Sequence, residues 1–313
     1  MRVGDEVRFS HVEFADSGLG TSARTVVAIP SGPGFSHRTL NPWLGGLPAS
    51  FRVATIDFPG SGHGSLADGL DYSFASYVED LDAVRRALGQ ARVCVLGHGW
   101  GAAMAVEYTL ARPDAVEALI LINPLSIFTG EGQDGEAQAR MIARVRPTLI
   151  AEWTQDVAPT FQAALTGEAH WDAVETNPWW GRMIETQFAA PPPRAWHEAM
   201  QGESWRLRAY ATYKGAAMSD SASAMAHYDL AERAGSLRRD LPVLILSSHH
   251  DANYVAPAAR HAVPLAQAVP QAELVQWEGV GHFPFVERQG EFADAVEGFL
   301  RDCVKPGGVM SNA

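Results

Sequence analysis

The chain has 313 residues, 47% of them hydrophobic, and a formal charge of −12. That length supports a sizeable core, and the acidic residues are scattered with no Lys/Arg cluster. This argues against a nucleic-acid or anionic-membrane surface and leaves a small molecule or short peptide as the expected partner. Two cysteines give no disulfide framework, and Cys94 reads as a buried strand thiol. Neither a leader-like N-terminus nor a run near ~20 apolar residues is present. The expectation is a soluble cytoplasmic protein, monomer or homodimer, with no cofactor.

In chain order, residues 25–29, 51–56, 93–96, 118–122 and 242–247 are short, β-branched-rich apolar runs, the pattern of parallel strands buried on both faces. Helices are predicted at 74–88, where Tyr77, Leu81, Val84 and Leu88 recur at helical spacing before Gly89, and at 100–110, closed by Arg112-Pro113. A helix at 257–269, a strand at 274–277 and a helix at 291–300 follow. Alternating strands and helices predict an α/β fold with a mostly parallel, doubly wound sheet.

From 125 to 237 the strand-like runs vanish. Six of the nine tryptophans lie there, with a Pro191-Pro192-Pro193 break, so an inserted helical cap is expected between core segments 1–124 and 238–304. Residues 305–313 read as a disordered tail or an expression scar. Several cap tryptophans are candidates to face a pocket. The candidate substrate contacts are Phe35, Trp179, Trp180, Glu198, Glu203 and Trp205.

The stretch Val93-Cys94-Val95-Leu96-Gly97-His98-Gly99-Trp100-Gly101 is strand, tight turn, then helix, the context of a nucleophile elbow. The flanking glycines of G-x-S-x-G stand at Gly97 and Gly101, but the centre is Gly99. Downstream, Asp251 lies just past a strand end and His282 sits in the loop Gly279-Val280-Gly281-His282, so elbow, acid and histidine follow in the order of a Ser…Asp…His triad. His249 and His250 are taken as loop residues, and no metal site is expected. No dinucleotide-binding loop is present.

Upstream, Pro30-Ser31-Gly32-Pro33-Gly34 follows a strand and resembles the HGGPG loop of proline iminopeptidases, with Pro30 and Ser31 at its first two positions. The segment Asp57-Phe58-Pro59-Gly60-Ser61-Gly62-His63-Gly64-Ser65 is similar to the D-x-P-G-x-G-x-S loop of the α/β-hydrolase superfamily and is taken as structural. The chain thus resembles an α/β hydrolase of the proline iminopeptidase-like kind. The resemblance implies an oxyanion hole from the backbone N–H groups of Gly32 and Trp100, and hydrolysis of amide or ester bonds in small, partly hydrophobic, aminopeptidase-type substrates.

Glycine at 99 removes the oxygen nucleophile that His282 and Asp251 would activate. Loss of such a serine costs on the order of 10⁶ in turnover. Three readings follow: a serine hydrolase inactivated by a Ser→Gly exchange, a His-Asp general-base enzyme working without covalent catalysis (lyase, cyclase or cofactor-free oxygenase), or a non-catalytic small-molecule-binding protein. The missing hydroxymethyl group is expected to leave room beside His282 for water or uncleaved substrate.

Overall fold

A computed structural model describes residues 2–3, 6–7, 10–15, 24–32, 34–45, 47, 51–65, 71, 73–124, 147–201, 228–251 and 262–303. Strands β1 (Arg2–Val3) and β2 (Glu6–Val7) form a short antiparallel ladder. The main sheet contains β3 (His11–Ala15), β4 (Arg24–Ile29), β5 (Phe51–Asp57), β6 (Val93–His98), β7 (Val116–Ile122), β8 (Val243–Ser248) and β9 (Ala272–Trp277). Its seven strands lie in the order β3-β5-β4-β6-β7-β8-β9, and every pairing is parallel except β3 with β5.

Period-two side-chain direction sorts the apolar runs into two cores. Val27, Ile29, Val93 and Val95 join one, and Val26, Ala28, Cys94 and Leu96 join the other. A short helix α1 (Asn41–Leu44) lies between β4 and β5, and helix α2 (Phe74–Ala87) starts where the Ser73 side chain accepts a hydrogen bond from Ser76 N, a cap that satisfies one of the donors a helix start leaves open. Helix α3 (Trp100–Ala111) is buried along most of its length, as its run of small apolar residues dictates.

The predicted strands and the helices near 74–88 and 100–110 stand within a few residues of their expected ends. The edge strand β3 was not anticipated. Its five residues carry the mixed exposure of an antiparallel edge, so they present no continuous apolar run to read. The helix expected at 257–269 is seen as Ala262–Ala268, its beginning falling outside the described residues. Within 125–237 the described residues contain helices and no strand: Pro147–Glu152, a π-helical turn at Trp153–Val157, Ala158–Thr166, Asp172–Glu175, Trp179–Glu185, Arg194–Ala199 and Leu230–Ala234.

Behind the sheet's C-terminal edge an aromatic column couples this helical layer to the core. Trp196, 2% exposed, lies with its ring centroid 4.8 Å from Phe283, 4.9 Å from Phe188 and 6.4 Å from Trp43. No helix among the described residues is long and apolar enough to cross a membrane.

The loop after β5 folds around the Asp57 carboxylate. Oδ1 accepts from His37 N at 2.5 Å; Oδ2 accepts from His37 Nδ1 at 2.8 Å and from His63 N at 2.9 Å. Burial pushes this carboxyl up, but the hydrogen bonds and charge of His37, with the His63 and His37 amides, outweigh it and hold it below its ordinary value of 3.8. A carboxyl depressed in the folded state stabilises fully above that ordinary value and loses the contribution as pH falls below it. His98 adds an earlier loss. Burial and the neighbouring His282 push its imidazole well below 6.5, so acid drives the unfolded state to take up a proton the folded one refuses. Thermal stability is therefore expected to fall as pH drops below about 6.5, with a second fall near pH 4. A melting series from pH 8 to 3 checks this. Asp57→Asn shrinks the second fall, to which Asp82 also contributes because Arg85 outweighs its burial and holds its carboxyl low, and His98→Phe removes the first.

Candidate active site

Strand β6 ends at His98 and α3 begins at Trp100, so the chain reverses direction in Gly99 alone, at φ 55° and ψ −117°. Side-chain-bearing residues pay ~1–3 kcal/mol to hold such a conformation, and glycine does not. Packing sets the neighbouring glycine too: a Cβ at Gly101 would stand 2.5 Å from Ile29 O and 2.6 Å from Pro30 O. The helix therefore starts against the end of β4, bringing the loop after β4 over the elbow.

Asp251 and His282 leave the C-terminal ends of β8 and β9 and meet. The Asp251 Oδ2 to His282 Nδ1 distance is 2.6 Å, and neither side chain has solvent exposure. With Nδ1 engaged by the carboxylate, Nε2 is the atom available for proton transfer, and it has no hydrogen-bond partner among the described residues.

Its loop is clamped from several elements. The His282 carbonyl accepts from His98 Nε2 at 2.9 Å and from Asn123 Nδ2 at 3.0 Å, and His282 N donates to Gln187 O at 2.7 Å. Asn123 itself holds φ 40°, tied to β8 by Ser248 N, which donates to its Oδ1 at 2.8 Å. Glu287 accepts from Gly281 N at 3.0 Å and from Ala189 N at 2.9 Å. His98, Asn123 and Glu287 were not singled out from sequence. For His98 a signal existed, since a histidine inside an elbow turn has to bond something when buried.

The room expected beside His282 is not open. A Cβ built on Gly99 would collide with Ser31 Oγ and would lie 3.1 Å from both Ser31 Cβ and His282 Nε2. The side chain of the loop after β4 fills the place that an elbow side chain would take, which corrects the expectation of a vacant space. Ser31 is itself 5% exposed.

Gly32 and Trp100, the expected oxyanion donors, are adjacent: a Cβ on Gly32 would make ordinary contact, 3.7 Å, with Trp100 Cε3. Trp100 N also lies in the first turn of α3, where the helix dipole favours negative charge.

The proposed substrate contacts divide. Phe35 is half-buried against the core that also holds Phe283 and Trp196. Trp179 packs on Leu149 and Val157 and donates its indole N–H to Leu149 O at 2.9 Å; Trp180 donates to Val174 O at 2.9 Å. Both indoles thus serve the helical layer's own packing. Glu198 is exposed and paired with Arg194 one turn earlier, as a solvated helix-face carboxylate would be. Glu203 and Trp205 lie outside the described residues. Among the described residues, His11, His37, Asp57 and His63 bring ligand-type atoms within 4.8 Å of one another, a grouping assembled from three separate segments. Three hydrogen bonds already engage its carboxylate.

A family model described as alpha/beta hydrolase fold matches residues 24–289. A proline iminopeptidase of Lactobacillus delbrueckii subsp. lactis is 25% identical over 291 residues, covering 90% of this chain and 92% of that protein. A serine hydrolase-like protein of Danio rerio is 34% identical over 97 residues and a putative carbamate hydrolase RutD of Klebsiella pneumoniae (strain 342) 34% identical over 77. Those two matches span only 30% and 29% of the relatives' own lengths. Among solved structures, the proline iminopeptidase of Mycobacterium smegmatis superposes with a TM-score of 0.67 at 18% identity, over 96% of each chain.

Proposed function

The chain belongs to the α/β-hydrolase family, and from that premise we propose that it hydrolyses an amide or ester bond in a small, partly hydrophobic substrate of the aminopeptidase type, with His282 and Asp251 as its proton-transfer pair. The observation that carries this reading is the buried His282–Asp251 pair, whose Nε2 stands 3.1 Å from the point where an elbow side chain would begin. A buried, oriented imidazole with an unengaged Nε2 is the general base that acyl transfer requires. The Gly32 backbone, which lies beside the Trp100 side chain, supports it, because the Gly32 and Trp100 amides are the donors a tetrahedral intermediate would use. The full-length likeness to a proline iminopeptidase supports the aminopeptidase leaning.

Attack from position 99 is closed, since glycine carries no oxygen. In a chain with no other hydroxyl at His282 the ordinary two-step mechanism would be severely impaired, leaving only water activated by His282. The test is a panel of p-nitrophenyl esters and aminoacyl anilides. Hydrolysis is expected, and Asp251→Asn lowers kcat/KM by about 10²–10⁴ by releasing the imidazole from its orienting partner. Absence of hydrolysis across the panel, together with a His282-dependent turnover of another class, would overturn it.

A further inference from the structure

We propose that Ser31 is the nucleophile of this site, the catalytic hydroxyl having moved from the elbow after β6 to the loop after β4. The inference rests on the hydrolase reading above and deepens it.

The first argument is register. β4 and β6 are neighbouring parallel strands, and Ile29 pairs with Gly97. Two residues further along the chain, just past the end of each strand, come Ser31 and Gly99, so the two positions are equivalent points on adjacent chain ends, beyond the same edge of the sheet. In the loop pattern this chain resembles, glycine stands at position 31; in the elbow pattern, serine stands at position 99. Here both are exchanged.

The second argument is space. Ser31 Oγ and His282 Nε2 converge on one point, the site of a Cβ on residue 99. Two side chains do not fit there. The buried Ser31 hydroxyl therefore occupies the catalytic position because Gly99 leaves it free. Ser31 Oγ and His282 Nε2 are not hydrogen-bonded in this structure. For the proton transfer the Ser31 hydroxyl has to close on His282 Nε2 as substrate binds. Catalytic hydrogen bonds are often long until substrate tightens them.

The third argument is that the exchange conserves the oxyanion hole. In an elbow serine hydrolase the amide after the nucleophile and one amide from the loop after β4 bind the oxyanion. With the nucleophile at 31, the amide after it is Gly32 N, and the partner amide from the other turn is Trp100 N. The same two donors serve in exchanged roles.

The step balances as acyl transfer. Ser31 Oγ bonds to the substrate carbonyl carbon as its proton passes to His282 Nε2, and the carbonyl π pair moves onto the oxygen. Collapse breaks the bond to the leaving amine or alkoxide, which takes the proton from His282. Water, deprotonated by His282, then cleaves the acyl–Ser31 ester, releases the carboxylic acid and returns the proton to Oγ.

The experiment uses a fluorophosphonate, with intact mass and peptide mapping, alongside p-nitrophenyl ester kinetics. One adduct on Ser31 is expected in the unaltered chain. Ser31→Ala should lose the adduct and about 10⁴-fold or more in kcat/KM with an unchanged melting temperature. The double variant S31G/G99S should carry the adduct at position 99 and keep hydrolysing ester. If ester hydrolysis persists in Ser31→Ala and no adduct maps to Ser31, the nucleophile proposal is overturned while the hydrolase reading stands, with water as the attacking group. If the unaltered chain neither reacts nor hydrolyses while S31G/G99S does both, Ser31 is not a nucleophile and the chain is a hydrolase disabled at position 99. If neither protein hydrolyses any ester or anilide, both readings fall.

Discussion

His282→Ala is expected to lower kcat/KM for ester hydrolysis by about 10⁴–10⁶, the largest effect of any single change outside the nucleophile, because nucleophile and base fail together when either is removed. Among the described residues, no other base stands ready to replace it. Nε2 is the imidazole atom facing the elbow, and His98, 4.3 Å away between ring centroids, spends its Nε2–H on the His282 carbonyl and is held neutral by burial. Removing the ring also leaves Asp251 buried without its imidazole partner, which costs stability independently of chemistry. His282→Gln separates the two effects. Its amide can still donate to Asp251, so the melting temperature should return toward that of the unaltered protein while turnover stays lost. Steady-state kinetics and thermal melts on both variants check this. Turnover within tenfold of the unaltered enzyme in His282→Gln would contradict the assigned role.

The order elbow, Asp251, His282 was legible in the sequence because each lies just past an apolar strand run, and β6, β8 and β9 deliver them to one edge of the sheet. The sheet was legible for the same reason, since strands buried on both faces write themselves as continuous apolar runs. What escaped is what depends on strands far apart in the chain becoming neighbours. Ser31 reads as one polar residue in a loop until the pairing of Ile29 with Gly97 sets it opposite Gly99. The space that a missing hydroxymethyl group would leave was inferred from Gly99 alone, and a side chain 68 positions earlier in the chain fills it. Likewise the tryptophans were counted as pocket candidates from composition. Composition does not say where an indole N–H goes, and Trp179 and Trp180 direct theirs to carbonyls within the helical layer. Asn123 carried no local signal: its positive φ and its bonds to Ser248 and His282 exist only once β7 and β8 pair.

Trp196→Ala should be the most destabilising substitution among the helical-layer residues, at about 3–5 kcal/mol. The indole is 2% exposed and touches aromatic rings from three directions, with Phe188 on its own layer and Phe283 and Trp43 on the core side. Truncation removes the transfer energy of a large ring and leaves a cavity that flat, mutually wedged neighbours cannot close. Each kilocalorie is worth roughly 2–4 °C in a protein of this size, so the melting temperature should fall by about 10 °C. Trp196→Phe, which keeps a ring in the column, should recover at least half of that. Leu165→Ala, at a 48% exposed side chain, should change stability by no more than ~0.5 kcal/mol. The loss also reaches the site. Phe283 follows His282 directly and packs against both Trp196 and Phe188, so a cavity beside it lets the His282 loop shift against Asp251. A fall in kcat in Trp196→Ala, measured well below its melting point and with KM little changed, is the expected result of that displacement. Unchanged stability in Trp196→Ala would mean that the column does not join the helical layer to the sheet.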